Sequence, residues 1–169
     1  MAAPPIVCIV GKKKSGKTTF LEKLLAALAG LGVRTGTVKH DIHGFSMDHE
    51  GKDTWRHRQA GAATVCISSS TQLALIKTVE REMTLPELAG TFFADRDIVL
   101  TEGYYNSDQP KIEVFRPEAH ALPLCGPDEA WTRKLLAMVT DADVDAGVPC
   151  FGLDDGEGVA RQLKEWFGL

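Results

Sequence analysis

The first clear signal along the chain is a short, wholly apolar run, Ile6 to Val10, that ends in glycine. A run without polar alternation predicts a strand buried on both faces. Phe20, Leu21, Leu24, Leu25 and Leu28 then recur at helical spacing until Gly30 and Gly32 stop the helix. Val33 to Lys39 reads as a second strand in which Gly36 is the discordant residue, and His40 to Lys52, polar and aperiodic, reads as a loop. Asp53 is expected to cap a short helix through Ala60, ended by Gly61. Thr64 to Ile67 and Leu73 to Ile76 read as strands joined by a turn over Ser68 to Thr71. Thr84 is expected to cap a helix that carries Pro86 in its first turn and runs to Phe93, with Glu87 placed for a capping box. Ile98 to Leu100 and the alternating Lys111 to Phe115 are further strands. Leu135 to Val139 is the last clear one, and Glu157 to Phe167 closes the chain as an amphipathic helix built on Val159, Leu163, Trp166 and Phe167.

Strands alternating with helices argue for an α/β fold, a mainly parallel sheet with helices on both faces. With 169 residues and no repeat, low-complexity segment or linker, one nucleotide-binding domain spanning 1–169 is expected. Pro117 to Asp128, with three prolines and a glycine, reads as a surface excursion. At 44% hydrophobic and 25% charged, the composition supports a packed core without staples. No apolar run approaches the roughly 20 residues of a membrane-crossing helix. Met1 to Val10 lacks the basic start of a leader. Four cysteines without a CxxC pair fit a reduced, cytoplasmic protein lacking structural zinc. Ten of the 19 Lys and Arg, but only 5 of the 23 Asp and Glu, precede position 59. A basic segment in an acidic protein suits a local anionic ligand, and without a recognised module it excludes a nucleic-acid partner.

That basic segment contains Gly11-Lys12-Lys13-Lys14-Ser15-Gly16-Lys17-Thr18, which satisfies G-x-x-x-x-G-K-[ST]. An apolar strand before it and an amphipathic helix after it are the context the motif requires. Gly11 and Gly16 let the chain turn where side chains would crowd phosphates. Backbone N–H groups from Gly11, Lys12, Ser15 and Gly16, with the positive end of the next helix, face the anion. Lys17 reaches the β- and γ-phosphates, Thr18 is the expected magnesium ligand, and Thr19 supports the α-phosphate. Lys12 to Lys14 exceed what the pattern needs, and at least one belongs to a solvated basic loop. Magnesium chemistry also needs an acid at the end of a neighbouring strand. Glu102 in Thr101-Glu102-Gly103 is that residue, as second metal contact and catalytic group beside Lys17. Asp97, at the strand's other end, reads as a surface residue.

The loop from Lys39 leaves the same edge of the sheet, where switch loops contact a γ-phosphate. His40, His43 and His49 with Asp41 and Asp48 form an alternative metal set, although their spacing fits no standard zinc pattern. Phe45 and Trp55 are either a contact surface or core. Thr140-Asp141-Ala142-Asp143 follows the last strand, which makes Asp141 a candidate for accepting from guanine, against the simpler reading of a turn.

Taken in order, the phosphate loop with Thr19, Val38-Lys39-His40-Asp41, Asp48 to Arg56, Ala60-Gly61-Ala62, Val99 to Gly103 and Pro110-Lys111-Ile112-Glu113-Val114-Phe115-Arg116 closely resemble the MobB family of molybdopterin-guanine dinucleotide biosynthesis. The resemblance spans residues 6 to about 116 and continues more weakly beyond. It implies a P-loop NTPase fold and a homodimeric GTP- and magnesium-binding protein of molybdenum cofactor assembly. Such a protein assists a MobA-like nucleotidyltransferase that converts molybdopterin to its guanine dinucleotide. It further implies an adapter that is at most a slow magnesium-dependent GTPase. Carried over, Lys17, Thr18 and Glu102 match the nucleotide–magnesium positions, and His40, Asp41, Lys52, Asp53 and Arg56 match the family's other block. Lys12 also stands where related dimeric phosphate-loop ATPases carry a lysine that reaches across the dimer. The rival readings are a phosphate-loop kinase of a small metabolite, for which Pro117 to Arg133 makes a poor lid, and a nickel metallochaperone GTPase.

Overall fold

The computed structural model describes residues 3–41, 43–125 and 134–169; the end of the expected excursion, 126–128, and Arg133 lie outside the described residues. In chain order the elements are β1 (Ile6–Val10), α1 (Lys17–Gly30), β2 (Thr35–Lys39), α2 (Asp53–Gln59), β3 (Thr64–Ser68), β4 (Leu73–Lys77), α3 (Leu85–Phe92), β5 (Ile98–Glu102), β6 (Lys111–Val114), β7 (Leu135–Val139), β8 (Cys150–Phe151) and α4 (Gly156–Phe167). The chain divides into two compact units, Met1–His40 with Leu85–Leu169, and Asp41–Thr84.

In the first unit six strands form a parallel sheet in the order β2-β5-β1-β6-β7-β8. The wholly apolar β1 lies inside, between β5 and β6, and all five of its residues are buried. Its alternate side chains serve two cores. Val7 and Ile9 face Phe20, Leu24 and Leu28 of α1 and Val159, Ala160 and Leu163 of α4. Ile6, Cys8 and Val10 face Leu85 and Ala89 of α3, together with Val99 and Cys125. Helices therefore cover both faces, as the alternation of elements predicts. Each fully buried leucine contributes about 1.5–3 kcal/mol of transfer free energy. Among the described residues no helix is long and apolar enough to cross a membrane.

The glycine in β2 has a packing cause. A Cβ at Gly36 would overlap the ring of Phe93, so the strand keeps glycine to let that aromatic lie flat on it. The polar members of β6 differ more from expectation. Alternation predicted a strand here and no more, yet its Lys111 and Glu113 are 0% and 1% exposed. An inner strand offers no water, so both are satisfied by backbone. Lys111 Nζ donates to the carbonyls of Ser107 at 2.5 Å and Gln109 at 2.8 Å. The Glu113 carboxylate accepts from the N–H groups of Leu124 and, at 2.7 Å, Cys125. Burial lowers the Lys111 pKa, and burial raises that of the Cys125 thiol, with Glu113 adding to the rise.

In the second unit β3 and β4 form an antiparallel pair. Lys52, not Asp53, is the N-cap of α2; Asp53 is its first helical residue, where a carboxylate favours the helix dipole. β8 escaped the sequence reading because it has only two residues between Pro149 and Gly152.

Candidate functional site

Beyond β1 the chain enters the phosphate loop through Gly11, at φ 144°, and leaves it through Gly16, the left-handed N-cap of α1 at φ 94°. A Cβ at Gly11 would overlap the Val114 carbonyl and come within 2.8 Å of Ser15 Oγ, so only glycine fits where the loop crosses β6. Lys14 is also left-handed, at φ 66°, and Ser15 N–H closes a turn onto the Lys12 carbonyl at 3.2 Å. Alternating handedness of this kind turns successive N–H groups toward one side, the arrangement that binds anions. Ser15 is 1% exposed and its hydroxyl has no hydrogen-bond partner among the described residues. A glycine-lined cradle with an unsatisfied buried hydroxyl at the start of a 14-residue helix fits a polyphosphate.

Two further side chains of the motif, Lys17 and Thr18, are placed with Glu102 as the expected site requires. Lys17 Nζ donates to the loop carbonyls of Gly11 at 2.9 Å and Lys12 at 2.7 Å, which holds its ammonium over the cradle. Burial lowers the Lys17 pKa; Glu102 opposes that shift and Lys39 adds to it. Thr18 Oγ1 donates to Glu102 Oε1 at 2.9 Å. Glu102 reaches it from the carboxyl end of β5, which pairs with β1 through Ile9. Lys39, at the end of β2, places its ammonium 3.7 Å from the same carboxylate oxygen. Thr19 lies exposed in the first turn of α1.

The β5 side of the cradle is completed by His40 and Tyr104. Their rings stack at 4.5 Å, and His40 N–H donates to the Glu102 carbonyl at 3.1 Å. On the β6 side, residues 116–125 are tied to the loop itself. Lys12 Nζ donates to the Leu122 carbonyl at 2.8 Å, and His120 Nε2 lies 2.6 Å from the Lys13 carbonyl. The excursion is thus a strap held by Glu113 below and by the phosphate loop alongside. Asp97 is the surface residue it was expected to be, clamped by Arg34 through Nε at 3.1 Å, Nη2 at 2.5 Å and the backbone N–H at 2.7 Å. Hydrogen bonds from Arg34 hold the Asp97 carboxyl down at about 2.

Asp141 Oδ1 accepts from Leu153 N–H at 2.9 Å, and Thr140 Oγ1 accepts from Ala142 N–H at 3.1 Å. The carboxylate therefore braces the turns at the ends of β7 and β8. The remaining candidates belong to the second unit. There Asp41 Oδ1 accepts from His43 N–H at 2.9 Å, and Lys52 N–H donates to the His49 carbonyl at 3.2 Å. Asp53 and Arg56 face each other at 4.0 Å on the exposed side of α2. Asp48 Oδ1 accepts from His49 N–H at 2.8 Å and from the Thr54 hydroxyl at 3.1 Å, so part of the second motif block works as an internal brace. Phe45 is largely exposed and Trp55 half-buried. Among the described residues no group of three or more His, Cys, Asp and Glu comes together to hold a metal. Sequence reasoning gave no role to Lys39, Arg116 or His120; the P-K-I-E-V-F-R block held a signal for Arg116, but as a family marker.

Residues 6–141 match the family described as MobB, molybdopterin guanine dinucleotide synthesis protein B. A molybdopterin-guanine dinucleotide biosynthesis adapter protein of Escherichia coli (strain K12) is 32% identical over 165 residues, covering 96% of this chain and 93% of the relative. Its namesake from Haemophilus influenzae is 38% identical over 165 residues, covering 96% and 89%. A crystal structure of molybdopterin-guanine biosynthesis protein B aligns with a TM-score of 0.75 at 29% identity, over 95% of this chain and 99% of that one. Bacillus subtilis MobB aligns with a TM-score of 0.72 at 29% identity, over 95% and 97%. The phosphate cradle, the parallel sheet that carries it and these likenesses together establish that the chain belongs to the MobB family of phosphate-loop proteins.

Proposed function

We propose that this chain binds GTP with magnesium in the loop from Gly11 to Thr18 and acts as an adapter in the biosynthesis of molybdopterin guanine dinucleotide. In this reading it assists a MobA-like nucleotidyltransferase that acts on molybdopterin. The observation that carries the reading is the Thr18–Glu102 hydrogen bond beside Lys17, in a chain of the MobB family. Lys17 and the loop N–H groups take the phosphates. Thr18 and Glu102 would hold the magnesium, which supplies charge neutralisation at the phosphate oxygens. Thr18 and Lys39 hold Glu102 at the edge of the cradle, and at most slow hydrolysis is part of the proposal.

Asp41, Lys52, Asp53 and Arg56 of the second unit are assigned to an anionic pterin or to the partner enzyme. A homodimer is part of the proposal; the exposed apolar Ile67, Leu73 and Leu75 of β3 and β4 support it. A cytoplasmic location follows from the pathway. Calorimetry with GTP and ATP, with and without magnesium, tests the nucleotide assignment. Tight ATP binding with indifference to GTP would overturn it. Capture of a nucleotidyltransferase by the tagged full chain, strengthened by GTP, is the result expected for an adapter.

A further inference from the structure

Arg116 closes the P-K-I-E-V-F-R block, and the phosphate-loop pattern assigns it nothing. Its root is fixed from below. Phe115 N–H donates to the Val139 carbonyl at 2.9 Å, so the backbone leaves the sheet still paired to β7. The Arg116 carbonyl then accepts from Ala119 and His120 N–H, each at 3.1 Å, which turns the strap back over the phosphate loop. From that root the side chain lies beside the N-terminus of α1. Nη2 and Cζ stand 3.6 and 3.9 Å from the position a Cβ would take at Gly16. Its charge also reaches Asp154, whose carboxyl is held below its ordinary range first by hydrogen bonding to Lys23 and then, more weakly, by the fields of Lys23 and Arg116. Among the described residues the guanidinium makes no hydrogen bond and no ion pair.

A guanidinium does not deprotonate in a protein, and the N-terminus of a helix carries about half a positive charge. Together the exposed guanidinium and the helix N-terminus leave the rim of the cradle positive, which suits an anionic ligand. The sheet order indicates which part of that ligand. Thr18 with Glu102 lies on the β5 side of β1, whereas Arg116 lies on the β6 side. A triphosphate whose metal-bearing end turns to Glu102 leaves its nucleoside toward Arg116. A flat guanidinium offers a fork of N–H donors.

We propose that Arg116 recognises the base of the bound nucleotide by donating its planar fork of N–H groups to the acceptor edge of the purine. This rests on reading Gly11 to Thr18 as the nucleotide site. Guanine presents two acceptors, O6 and N7, where adenine presents an acceptor and a donor, so the residue favours GTP over ATP.

Calorimetry on the full chain compares wild type, Arg116→Ala and Arg116→Lys with GTP, ATP and inorganic tripolyphosphate, each with magnesium. The alanine variant is expected to bind GTP roughly tenfold to hundredfold more weakly. It loses the preference over ATP and binds tripolyphosphate as wild type does. The lysine variant keeps the charge but not the plane, and it follows alanine. An equal loss for tripolyphosphate would make Arg116 a phosphate ligand and overturn the proposal; so would an unchanged GTP affinity. Wild type that binds tripolyphosphate yet prefers neither nucleotide overturns the GTP reading as well, a result distinct from a failure of Arg116 alone. Thermal unfolding of each variant accompanies the titrations; a variant that melts with wild type but loses only nucleoside affinity supports the role.

Discussion

Replacing Glu113 by alanine tests whether the buried carboxylate is a tie for the strap rather than part of the chemistry. It accepts two peptide N–H groups, those of Leu124 and Cys125, at a position 1% exposed. Removing it orphans both donors, at about 1–3 kcal/mol each. The segment can relieve part of this by swinging toward water, which leaves an expected loss of about 2–4 kcal/mol. At about 2–4 °C per kcal/mol for a chain of this size, the melting temperature falls by roughly 5–15 °C. Urea denaturation is the primary assay, with the slope m unchanged and the midpoint lowered. Hydrogen exchange at Leu124 and Cys125 should accelerate relative to β1. Because Lys12 and Lys13 are bonded to the same strap, nucleotide affinity should fall as well. Glutamine, which keeps one acceptor, should recover part of the loss. A stability change within about 0.5 kcal/mol for the alanine variant, the range of an ordinary surface substitution, would refute the reasoning.

Gly36→Ala should destabilise by about 1–3 kcal/mol through overlap with the Phe93 ring, and Phe93→Leu in the same chain should recover part of it; additive losses in urea would show that the ring is not the cause. Thr18→Ala and Glu102→Gln should each abolish the gain in GTP affinity on adding magnesium while leaving magnesium-free binding within about threefold, read by calorimetry. Asp97 has a folded pKa depressed to about 2 by Arg34, so its contribution to stability is present above the ordinary carboxylate value and is lost as pH falls through about 2. The urea midpoints of wild type and Asp97→Asn should accordingly differ at pH 7 and converge near pH 2. Alkylation of the folded protein should modify Cys66 and Cys150, which are exposed, and spare Cys8 and Cys125, with mass spectrometry identifying the sites.

Much of the fold was legible because β1, α1 and β5 obey simple periodicities and the loop between them must take one shape. The junction of Lys17, Thr18 and Glu102 followed from the same source, since the carboxyl ends of adjacent parallel strands share an edge. What stayed hidden depended on contacts between positions far apart in sequence. The burial of Lys111 and Glu113 was not legible because alternation reports a face, and it cannot report that both faces of an inner strand are covered. Asp141 has the residue type of a base-reading carboxylate, and the hydrogen bond it accepts from Leu153 N–H could not be read from the sequence. Gly36 weakened the β2 assignment until Phe93 explained it.

The central place of β1 bears on how the chain is made. Its two parallel neighbours are β5 and β6, both far downstream, and neither pairing is a local hairpin. During synthesis the Ile6–Val10 segment therefore emerges without its sheet partners and waits until residues through Val114 have left the ribosome. Parallel pairing across such separations is slow to form, and an unpaired apolar strand is a target for chaperones and for aggregation. The phosphate loop, which begins one residue after β1, thus becomes competent late: truncated chains ending before β6 should be captured by holdase chaperones and bind no nucleotide, although they contain the entire motif.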